Sequence, residues 1–146
     1  MANWFSIVIQ DISKIPDAIL HYETELDKAS AEVKLHGNIE KQSASMPGVV
    51  EERFRQLQEV EGILKHLEIQ LRRLKTKHYR KYLESYQRAL TSRDAEKYAE
   101  GEDDVCDYEA LVNEWALLRN KWLGVIKALD QKQWHITNIV KLRVAG

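Results

Sequence analysis

The chain has 146 residues, 31% of them charged, with one cysteine, six glycines, two prolines and a net charge of −1. That length suits one domain with a sizeable core, and a composition rich in charge and poor in glycine and proline favours long helices over a mixed fold. A single cysteine excludes an intramolecular disulfide, no Cys/His set has zinc-site spacing, and no segment approaches the roughly 20 apolar residues that cross a bilayer.

The N-terminal "MANWFSIVIQD" carries an apolar run with no basic region before it, which argues against a secretory leader and for a cytosolic protein. Pro16 suits an early helix position, and Ile15, Ile19, Tyr22, Leu26, Ala29 and Val33 recur at spacings of three and four, one amphipathic stripe. The pattern decays through "HGNIEKQSASMPGVV", where Gly37, the run 43–45, Pro47 and Gly48 predict a bend or loop before a new helix near Val50. Residues 1–45 therefore read as an N-terminal helical region.

Residues 46–93 read as a heptad helix, because Leu57, Val60, Leu64, Leu67, Leu71 and Leu74 keep the four-three spacing. The next positions in that register are His78 and Lys81, and the stripe resumes on a shifted face through Tyr82, Tyr86 and Leu90. This shift predicts that the turns after Leu74 are released from the helix interface. Residues 94–107 read as an acidic connector.

The segment 108–146 carries the most apolar stripe, Tyr108, Leu111, Trp115, Leu118, Trp122, Val125 and Leu129, with Ile136 and Ile139 beyond the polar Lys132. Together with Trp134 it offers more apolar surface than one short helical neighbour covers. The expectation is self-association through Leu111, Trp115, Leu118, Trp122, Val125, Leu129, Ile136 and Ile139. The fold class expected is all-α: one domain of long amphipathic helices with coiled-coil-like packing, assembled as a helical homo-oligomer.

Charge is distributed unevenly. Nine basic residues against Glu68 and Glu84 give residues 65–93 a net +7, and eight acids against Lys97 give residues 94–109 a net −7. No Gly-rich phosphate loop, paired histidine motif or activated nucleophile is present, so no catalytic residue, cofactor or metal is expected, and "EDD" at 102–104 reads as a solvated charge run. The basic segment "LRRLKTKHYRKYLESYQRAL" is the candidate site. On a helix, Arg73, Lys77, Arg80, Lys81, Glu84 and Arg88 share a face, with Arg72 and Lys75 in the same cluster and Tyr79, Tyr82 and Tyr86 beside it. Cations neutralise phosphates and aromatic rings stack on unpaired bases, which is the chemistry of single-strand binding. A structural coiled-coil or assembly protein without DNA binding, and a duplex-binding nucleoid-type protein, fit the same residues.

The order of these features, from "LRRLKTKHYRKYLESYQRALTSRDAEKYAEGEDDV" into "LRNKWLGVIKALDQKQWHITNIVKLRVAG", resembles the UvsY family, the recombination mediators of tailed bacteriophages and their cyanophage relatives. The resemblance implies a protein of the infected host's cytoplasm, acting in recombination, repair and recombination-dependent replication without consuming nucleotide. Its implied partners are single-stranded DNA, a RecA-like phage recombinase, the phage single-strand-binding protein and further copies of itself in a ring of the hexamer or heptamer class. In the family a Lys-x-Arg pair precedes the paired tyrosines; the matching positions are Lys75 and Lys77, the second a lysine where the family carries arginine. Lysine keeps the charge and loses the planar fork, a loss that Arg72, Arg73, Arg80 and Lys81 are placed to offset.

Overall fold

Asn3 opens helix α1 (Trp4–Gln10) by accepting the Phe5 N–H on its side chain at 3.0 Å. The computed structural model describes residues 3–85 and 90–146, so Tyr86 and Arg88 lie outside the described residues. A 3-10 turn at Ile12–Lys14, capped by Asp11, leads into α2 (Ile15–Glu32), where Pro16 sits in the first turn, the position at which its missing N–H costs least. Helices α3 (Ile39–Ser85), α4 (Ser92–Glu100) and α5 (Asp103–Ala145) follow. The fold is all-α, with no strand among the described residues, and no helix there is long and apolar enough to cross a membrane.

The core lies between the two long helices, α3 of 47 residues and α5 of 43, which run antiparallel, with α1 and α2 laid against them. The stripe Leu57, Val60, Leu64, Leu67 and Leu71 is buried, as its heptad spacing requires, together with Ile63. It meets Val112, Trp115, Leu118, Trp122 and Ile126 of α5 and Ile15, Ala18, Tyr22, Leu26 and Ala29 of α2. Gly62 allows α1 to approach: a Cβ there would touch the Phe5 ring at 3.4 Å. A smaller cluster of Met46, Leu129 and Ile136 closes the other end.

The bend expected before Val50 lies earlier. Gly37, in the left-handed region at φ 72, separates α2 from α3, and Asn38 starts α3 by accepting the N–H groups of Glu40 and Lys41. Pro47 then lies inside α3. A proline within a helix costs about 3 kcal/mol; opposing it are the Asn38 cap and the burial of Met46 against α5. The segment 94–107, read from sequence as an acidic connector, is largely helical. Its first part is the helix α4, capped by Thr91, which accepts the Asp94 N–H at 3.1 Å, with Ala95 and Ala99 buried.

Two polar clasps hold α2 in place. Arg53 of α3, its side chain 10% exposed, donates to Glu25 at 2.8 Å and to Glu32, and also binds Gln56. Lys132 of α5, buried at the polar position in the stripe, sends Nζ to the carbonyls of Glu32 at 2.5 Å and Lys34 at 3.0 Å, closing the C-terminus of α2 where a cation is favoured. The Arg53 hydrogen bond holds the Glu25 carboxyl down to about 2 from an ordinary 4.5 against the opposing effect of burial; Gln56 and Lys28 assist. Because the folded value is depressed, this contribution is present above pH 4.5 and is lost as pH falls toward 2. Urea midpoints measured across that interval should fall, and Glu25→Gln should flatten the fall; an unchanged profile in the variant would show that other carboxylates carry it.

Candidate nucleic-acid interface

The basic segment of α3 has two faces, and they do different things. Along the outer face Arg72, Arg73, Thr76, Lys77, Arg80, Lys81 and Glu84 line one shallow groove of about 580 Å³. The five cations are exposed, and among the described residues none of them makes an ion pair. The grouping of Arg73, Lys77, Arg80, Lys81 and Glu84 expected from helical spacing is thus present as a surface. At about 1.5 Å per residue, Arg72 to Lys81 covers about 13 Å of helix. For a strand held in a stacked, duplex-like rise of about 3.4 Å per phosphate, that length matches about four phosphates.

The inner face is engaged by the acidic segment. Lys75 pairs with Glu109 at 2.8 Å, His78 Nε2 lies 2.9 Å from the Asp104 carboxylate, and the Tyr82 hydroxyl donates to Glu102. The Asp104 carboxyl is held below its usual range chiefly by the His78 hydrogen bond, opposed by desolvation. Tyr82 also lies against Tyr98 of α4, ring centroids 5.5 Å apart, and half-buried Tyr79 lines a second groove with Lys75, Thr76, Glu96, Ala99 and Glu100. The turns after Leu74 are therefore not released from the helix interface. Their inner side chains exchange an apolar partner for a carboxylate-bearing one.

This arrangement separates residues that look equivalent in sequence. Arg72, Arg73, Lys77, Arg80 and Lys81 can meet phosphates without breaking an ion pair among the described residues. Lys75 can do so only by leaving Glu109, and Tyr79 and Tyr82 are half-buried outside the outer groove, Tyr79 in the groove against α4 and Tyr82 against Tyr98. Three of the eight acids of 94–109, Glu102, Asp104 and Glu109, turn to the inner face of α3, where Glu109 meets a lysine and the other two meet His78 and Tyr82.

The residues expected to join subunits also have partners inside one chain. Trp115, Leu118, Trp122, Leu129 and Ile136 are buried, and Leu111, Val125 and Ile139 are half-buried. The stripe looked too long for a short neighbour; α3 is a neighbour of matching length. What α5 leaves to solvent is Leu117 at 56%, Trp134 at 67%, Leu142 at 73% and Val144 at 82% exposure. Comparison with family models, curated proteins and solved structures finds no match in any of the three.

Proposed function

We propose that the protein binds single-stranded DNA along the outer face of α3 and acts there as a recombination mediator, helping a RecA-like recombinase load onto strands coated by a single-strand-binding protein. The observation that carries the binding is the row of five exposed cations, Arg72, Arg73, Lys77, Arg80 and Lys81, with no carboxylate partner among the described residues. Leaving these cations unpaired while Lys75, one helix face away, is paired with Glu109 keeps positive potential on the outer face for a polyanion. The recombination context rests on the resemblance to the UvsY family. Mediation then works by avidity: copies associating through the exposed Leu117, Trp134, Leu142 and Val144 would line up several weak basic faces along one strand.

Paired inner residues also suit a purely structural helical protein, and one experiment separates the readings. Labelled single strands, unlabelled duplex competitor and a salt series should show binding that survives duplex competition. The salt slope should be about −3 decades in affinity per decade of salt per chain, from about 0.7 for each of about four phosphates. Equal competition by duplex would favour a nucleoid-type protein, and no binding at low salt would leave the structural reading.

A further inference from the structure

The corner where α5 begins brings together three metal-ligating side chains from opposite arms of the hairpin. His78 of α3 has Nε2 2.9 Å from the Asp104 carboxylate and Nδ1 3.8 Å from Glu102 Oε1. One donor atom from each of the three lies within 4.8 Å of the other two. The imidazole is only 13% exposed, and its Nδ1 is buried with no hydrogen-bond partner among the described residues. Buried polar atoms are normally satisfied, so the ring is not fully served by protein groups alone. Glu102, at the N-cap position of α5, makes no side-chain capping bond to that helix; its carboxylate turns to α3, where the Tyr82 hydroxyl holds it.

The geometry points to a divalent transition-metal site, of the zinc or manganese class, built from one His78 ring nitrogen and one oxygen each of Glu102 and Asp104. Bonds of about 2.1 Å place neighbouring ligands about 3 to 3.4 Å apart. The present separations, up to 4.8 Å, therefore close by up to about 1.4 to 1.8 Å, within the reach of side-chain rotation that brings Glu102 and Asp104 to the same ring nitrogen. One imidazole with two carboxylates and no thiolate is a borderline-to-hard donor set, and the general affinity order puts zinc above manganese. Three protein ligands leave positions for water. Tyr82 supplies the outer hydrogen bond that orients Glu102, and Asp103 in the first turn of α5 offsets the positive end of that helix's dipole. The nearby Lys75 is neutralised by Glu109. A bound ion would tie α3 to the α4–α5 corner beside the basic groove. The site stands independently of the strand-binding reading.

The test is calorimetric titration of Zn²⁺ into the full chain carrying Cys106→Ser, which removes an exposed thiol as a competing ligand. The expected result is one ion per chain, a raised thermal midpoint, and binding at least about tenfold weaker in His78→Gln and in Asp104→Asn. Broadening of the His78 ring signals by substoichiometric Mn²⁺ reports proximity without any substitution, and so stands even if a variant misfolds. No saturable uptake of Zn²⁺, or uptake unchanged in both variants, overturns the site.

Discussion

Replacing Trp115 with Ala should destabilise the fold by about 3–5 kcal/mol, a large share of the roughly 5–15 kcal/mol that holds a domain together. The indole is fully buried, meets Tyr22 edge-on with ring centroids 5.9 Å apart, and donates Nε1–H to the Val60 carbonyl at 2.8 Å. Truncation removes the ring, the aromatic pair and a satisfied buried hydrogen bond together. Trp122 is the internal comparison. It is equally buried, but among the described residues its Nε1 has no hydrogen-bond partner. Trp122→Phe should therefore be milder than Trp115→Phe, by about 1 kcal/mol. Urea denaturation followed by circular dichroism measures both, and equal losses would show that the bond to Val60 contributes nothing. The same burial governs Leu118→Asp combined with Val125→Asp. A carboxylate where Leu118 is 4% exposed should cost helix content itself, beyond any loss of assembly mass.

The second large effect concerns strand binding. Arg73, Lys77 and Arg80 stand on the outer face, whereas Lys75 is engaged by Glu109. Changing those three to Ala together should lower affinity at low salt by about a thousandfold, taking roughly tenfold for each of the three charged contacts. It should also reduce the salt slope by about 2 decades per decade. Lys75→Ala alone should change the slope little, because its ammonium already has a carboxylate. Fluorescence anisotropy with a short oligonucleotide at several salt concentrations reads both quantities, with helix content as the control. A Lys75 variant as defective as the triple variant would move the DNA path to the inner face.

The long stripes of α3 and α5 were legible in sequence because each has one buried side, so burial and spacing coincide from Leu57 to Leu71 and from Trp115 to Ile136. The start of α3 was not. Pro47 and Gly48 are the strongest local punctuation in the chain, and what overrides them is the Asn38 cap with the contact of Met46 to Leu129 and Ile136, far away in sequence. α4 escaped notice because only Ala95 and Ala99 face the core, too few and too small to register as a period. The candidate site was half legible. Lys75 and Lys77 carry the same charge two positions apart, and on a helix two positions turn a side chain to nearly the opposite face. Which of them faces solvent depends on Glu109 across the hairpin. His78 and Asp104, 26 residues apart, likewise fall outside any local motif.

Lys132 reaches the carbonyl of Glu32 across 100 residues of sequence. A ribosome adding about 5–20 residues per second spends about 5–20 s between making those two groups. For that interval α2 ends in uncapped carbonyls, and the apolar sides of α2 and α3 wait for α5, which follows them in the chain. A nascent chain halted before Asp103 presents Tyr22, Leu26 and the Leu57-to-Leu71 stripe without their α5 cover. Emergence of α5 is therefore the event that covers this apolar surface, and products truncated before it should be cleared by proteases rather than accumulate.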